Sequence, residues 1–169
     1  MSVPSAKRDF AEGTKASVSY GKLAAGIAIL WGGVAIGATC IATPAKFLAP
    51  SLSLSTALEV GRATFYWSGV AEIVLCALFL LSLVSFGGIQ WKWALLPVLF
   101  LAVQRIGLMP LLDERALQVI KGAPATESHL HTLYIYLEAA KCTALVVIGF
   151  LGSMLTSAPL PKQKREKSL

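Results

Sequence analysis

Charge is scarce in this chain. Of its 169 residues only 14% are Asp, Glu, Lys or Arg, against 56% hydrophobic, and the mean hydropathy is +0.69. Soluble domains carry about 25% charged residues, so this composition excludes an ordinary soluble fold and places the chain in a bilayer. Cysteine is sparse too. Cys40, Cys76 and Cys142 each lie in an apolar run rather than in spaced pairs, which reads as small core fillers and says nothing of the redox compartment. Catalytic signatures are missing throughout: there is no GxSxG, HExxH, phosphate loop or acidic metal triad, so nothing among the motifs supports an enzyme. The chain also lacks an internal repeat. Its net charge of +6 sits in two tails and is not interleaved with aromatics, which points to a membrane surface and away from nucleic acid.

Long uncharged runs are what the chain does have. Four segments meet the requirement of about 20 residues per spanning helix: Leu23 to about Pro44, Thr64 to Ser85, Trp93 to Leu112 and Leu133 to Leu155. The first has no charge between Lys22 and Lys46; it is too long, behind too long a polar stretch, for a cleaved signal peptide. Tyr66 and Trp67, Trp91 and Trp93, and Tyr134 and Tyr136 open the later spans as an interfacial aromatic belt would. Capping-box spacing from Thr56 to Glu59 starts the second helix near Ala57. LDERALQVIKG, with Leu112, Ala116 and Val119 on one face and Gly122 as C-cap, predicts a short interfacial helix between spans three and four. The expected architecture is all-α: an integral-membrane, antiparallel four-helix bundle over 23–156, with basic tails at 1–22 and 157–169. Four spans put Lys7, Arg8, Lys15, Lys22, Lys92, Lys162, Lys164, Arg165 and Lys167 on one side, against Lys46, Arg62, Arg115 and Lys121 on the other. The positive-inside rule then places both termini in the cytoplasm.

Four charges remain inside the spans. Glu72 lies roughly 12 Å into the second helix and Arg105 roughly 11 Å into the third at 1.5 Å per residue, while Glu138 and Lys141 share a face of the fourth. Two acids and two bases at matching depth can neutralise one another where each alone would cost several kcal/mol. They form a polar clamp that fixes register and partner choice, or a proton or ion relay, or the polar floor of an outward-facing cavity, or a lipid-headgroup contact. Gly33 and Gly37 have GxxxG spacing, beside Ala24, Ala28 and Gly32, and mark a helix-packing face, either within the four-helix bundle or toward a partner protein. His129 and His131 are the only histidines; on a helix they point about 200° apart, which argues against haem b within a single copy. In an extended segment, Glu127, His129 and His131 would share a side as a pH sensor or a sparse metal site that Asp113 or Glu114 would have to close.

TPAKFLAP, VGRATFYWSGVAE, MPLLDERALQVIKG and HLHTLYIYLEAAK together resemble families of four-helix integral-membrane proteins of unknown function, loosely similar to small eukaryotic TMEM proteins. The resemblance covers Leu23 to Ser153. It implies the fold, directs attention to Arg62, Glu72, Asp113, Gly122, His131, Tyr134, Glu138 and Lys141, and carries no activity. The functional expectation is a non-catalytic structural or accessory subunit of a larger membrane assembly. Its partners would be the bilayer and another membrane protein or further copies of itself, with no cofactor and no nucleic acid. The alternative is a small transporter or proton/ion-conducting protein built on the Glu72, Arg105, Glu138 and Lys141 cluster.

Overall fold

The computed structural model describes residues 5–84, 91–124 and 129–157, and every regular element among them is helical. Helix α1 (Ser5–Ile36) passes through a π-helical segment (Gly37–Ala42) into the short α2 (Thr43–Leu48). α3 spans Leu54–Val84. α4 (Trp91–Ala102) continues through a second π-helical segment (Val103–Leu108) into α5 (Met109–Ile120), and α6 spans His129–Ser157. Among the described residues four helical runs are long and apolar enough to cross a membrane: Gly21–Leu48, Leu54–Val84, Lys92–Ile120 and His129–Met154.

Proline accounts for both π-helical segments. Pro44 and Pro110 each stand two residues beyond one, and proline has no N–H to give to the carbonyl four residues back, while its ring crowds that carbonyl. The π segments shift the bonding by one residue: the N–H of Thr43 reaches the carbonyl of Ala38, and that of Met109 reaches the carbonyl of Gln104. Each helix thereby crosses its proline without ending. This overturns one expectation, because the separate short helix between the third and fourth spans is instead the end of the third run. Its face of Leu112, Ala116 and Val119 lines a partly open cavity.

Other boundaries also move. α3 begins at Leu54 because Ser53, and not Thr56, caps it: the Ser53 hydroxyl accepts the Thr56 N–H at 3.2 Å, and its carbonyl accepts the Ala57 N–H at 2.9 Å. The basic stretch expected as a tail at 1–22 is helical from Ser5 onward. Gly122 closes α5 with φ of 100°, a left-handed conformation that glycine adopts freely. The basic residues of 157–169 and most of the loop before Lys92 lie outside the described residues.

α1 packs along α6 and α3, and α6 also meets α4. Trp31, Phe79 and Leu145 are fully buried at the centre, with Ala24, Ala28, Leu75 and Leu101 around them. The Trp31 and Phe79 rings meet edge to face with centroids 6.1 Å apart. The close approach of α1 and α6 uses small residues, though not the pair that GxxxG spacing suggests. A Cβ on Gly149 would come within 3.1 Å of the Ala25 carbonyl and 2.5 Å of the Ile29 side chain, and one on Gly152 within 3.1 Å of the Ala25 Cβ. Gly32 faces Leu145, whereas a Cβ on Gly33 or Gly37 would meet nothing within 4 Å. One residue of helix is a rotation of about 100°, enough to turn Gly33 off the face that Gly32 occupies. Gly149→Leu should therefore destabilise the bundle by about 1–3 kcal/mol through overpacking, read as a lower unfolding temperature in detergent. Gly33→Leu should leave that temperature unchanged; an equal loss would mean that α1 packs by its other face.

Candidate functional site

Glu72, on α3, is the meeting point of the buried polar groups. Its Oε2 accepts the Trp31 indole N–H at 3.0 Å and a bond from the Lys141 ammonium, and its Oε1 lies 3.5 Å from an Arg105 guanidinium nitrogen. Lys141, on α6, is 0% exposed. Its other bonds go to Gln104 Oε1 at 3.0 Å and Glu138 Oε2 at 3.1 Å, so its three N–H donors are all used. Gln104 also donates through Nε2 to Glu138 Oε2 at 2.8 Å, and the Cys142 thiol lies 3.8 Å from Glu138 Oε1. Two carboxylates face one ammonium and one guanidinium, so the formal charge of the cluster is zero. Charges so deeply buried persist only when they are paired and fully hydrogen-bonded.

Local structure sets these positions. Glu138 and Lys141 are three apart on α6 and turn the same way. Gln104 and Arg105 sit in the second π-helical segment, where the wider turn presents consecutive residues to the interior: Gln104 is buried, and Arg105 is half-buried. Arg105 reaches across to donate to the Phe65 carbonyl at 2.9 Å. It can do so because α3 has glycine at 69; a Cβ there would collide with the guanidinium. The structure thus brings Glu72, Arg105, Glu138 and Lys141 together with two further members, Gln104 and Trp31. Gln104 has a sequence signal as a second polar residue beside Arg105 in an apolar span. Trp31 has one in lying mid-span, away from the interfaces where tryptophan concentrates.

A second polar pair lies toward the end of the bundle where α2, the start of α3, α5 and the start of α6 meet. Arg62 Nε and Nη2 donate to the two carboxylate oxygens of Asp113 at 2.6 and 3.0 Å, a two-pronged bridge tying α3 to α5. On one side of it lies a cavity of about 270 Å³ lined by apolar side chains of α2, α3, α5 and α6, with Lys46 and His131 in its wall. Tyr134 also lines it. Although read as an interfacial anchor, Tyr134 is buried, packed edge to face on Phe65 with centroids 5.7 Å apart, because the fourth helical run starts at His129 and brings it inside. On the other side of the bridge an open groove of about 740 Å³ leads down to Arg105.

The histidines do not form the expected group. Both are helical and exposed, so they diverge around α6 where an extended segment would have aligned them, and Glu127 lies outside the described residues. Among the described residues no three His, Cys, Asp or Glu side chains converge to hold a metal. No family model, curated protein or solved structure matches this chain.

Lys141→Met should cost about 3–5 kcal/mol of stability, because it leaves Glu72 and Glu138 buried without their shared cation. Adding Glu72→Gln to that variant should recover part of the loss. A double-mutant cycle read from unfolding in detergent tests this; strictly additive losses would mean that the two side chains act independently.

Proposed function

We propose that this chain crosses the bilayer as an antiparallel four-helix bundle with both termini in the cytoplasm, and serves without catalysis as a structural or accessory subunit of a larger membrane assembly. The saturation of the charge cluster carries this reading. Among the described residues no wholly enclosed side-chain nitrogen or oxygen lacks a hydrogen-bond partner. A relay works through a group that can release a proton or accept an ion. Taking a proton from Lys141 would instead leave two buried carboxylates sharing only the more distant Arg105. The cluster is therefore read as a clamp that holds α3, α4–α5 and α6 in one register, with Trp31 fastening α1 to it.

A face is left over for a partner. Among the described residues nothing lies within 4 Å of where a Cβ on Gly33 or Gly37 would stand, and Leu30 and Ile36 beside them are exposed, so α1 keeps a small-residue surface that a second helix can approach closely. The alternative, proton or ion conduction, has one observation in its favour: the Arg105 side chain is 17% exposed and stands at the bottom of the open groove.

Purification from native membranes in mild detergent separates the two readings. The expected result is a stoichiometric assembly well above the 17.9 kDa of one chain, which Gly33→Leu with Gly37→Leu dissociates without unfolding the bundle. A partner-free species that collapses a pH gradient in liposomes, and stops doing so on Arg105→Gln, would replace the structural reading with the conducting one.

Sidedness rests on nine bases against four, and moving both Arg105 and Lys141 to the smaller group would still leave nine against six. Single cysteines at Ser5 and Ala123, in a background without Cys40, Cys76 and Cys142, test it with a membrane-impermeant thiol reagent on intact cells. Position 123 should react and position 5 should not; the reverse pattern would invert the protein.

A further inference from the structure

Among the described residues Lys46 has no counter-ion. It is only 8% exposed. Its ammonium lies 5.1 Å from the centre of the Phe47 ring and 5.4 Å from that of Phe65, contacts that offset only part of the cost of burying a charge. A lysine near the end of a span ordinarily carries its charge outward to water. Lys46 turns inward, and α3 makes room for it: Gly61 is buried under the ammonium, and a Cβ at that position would run into it. The ammonium enters the wall of the 270 Å³ cavity, whose remaining lining is chiefly apolar, with Leu54, Leu58, Leu112, Ala116 and Val119. Lys46, Arg62, Arg115 and His131 line it, with one acid, Asp113.

We propose that this cavity binds the head of an apolar monocarboxylate of the fatty-acid type, with the Lys46 ammonium as its counter-ion and the apolar wall around the first part of its chain. The volume is close to the lower end for ligand pockets, about 300–1,000 Å³, so it holds a head and a short chain, and the cavity's open side passes anything longer. A single ammonium is a point charge suited to one carboxylate. Phosphate favours a guanidinium fork; of the two in the lining, that of Arg62 is committed to both oxygens of Asp113, and Arg115 is engaged in a contact of its own. The two cations thus differ in kind, Arg62 on α3 closing a bridge within the protein and Lys46 on α2 facing space.

The test uses the full-length chain in phosphatidylcholine nanodiscs, with radiolabelled decanoate as probe and empty discs subtracted. Saturable binding at one site per chain is expected, weakened at least about tenfold by Lys46→Met, with decanol and decyl phosphate both competing poorly. Ala116→Phe, which fills the cavity without touching a charge, should abolish binding while the unfolding temperature stays native; it keeps the question decidable if Lys46→Met fails to fold. No saturable decanoate binding, or undiminished binding to either folded variant, would overturn the site. Tighter binding of decyl phosphate than of decanoate would overturn the choice of a carboxylate.

Discussion

The ammonium of Lys141, enclosed by Glu72, Glu138 and Gln104, is the contact on which the rest of the bundle depends. A bare charge in that position would be too costly for the helices to close over it. Once paired, it makes every alternative register expensive instead. A step of one residue along any helix turns its side chains by about 100°, which would withdraw one member and strand the others without solvent. The apolar core gives little of that selectivity, since leucine and alanine faces pack against lipid almost as well as against each other. Trp31 joins the two systems: its ring packs on Phe79 in the core, and its N–H ends on Glu72 in the cluster.

Irregular backbone and missing side chains make this arrangement possible. The second π-helical segment allows the third helical run to pass Pro110, and the same widened turn places Gln104 and Arg105 side by side at the cluster. Glycine at 69 admits the guanidinium of Arg105, and glycine at 61 admits the ammonium of Lys46. α3 therefore receives a cation at two levels, eight residues apart, through gaps in its own surface. At the deeper level the cation finds Glu72, and at the shallower one it finds an apolar cavity, which is why the two levels suggest different roles.

Much of the helical content was legible in composition. Four apolar runs, and charges at matching depth on three of them, follow from counting residues at 1.5 Å each, because bilayer thickness and helical rise leave little freedom. Tyr134 was not legible in this way, since an aromatic residue near a span end reads equally as an interface anchor or as a core residue until a neighbour such as Phe65 is placed beside it. Gly33 and Gly37 were ambiguous for a related reason. GxxxG spacing identifies a smooth helix surface but not the helix that meets it, and here α6 meets the surface of Ala25 and Gly32.

The sequence by itself determined that the chain is helical, that its helices suit a membrane, and that Glu72, Arg105, Glu138 and Lys141 need partners, because hydropathy and the cost of a buried charge are properties of residues. Only the tertiary structure decided who those partners are. It assigned Lys141 to Glu72, Glu138 and Gln104, joined Arg62 to Asp113, and left Lys46 facing a cavity, because pairing depends on the rotation of each helix about its axis, which long-range contacts set.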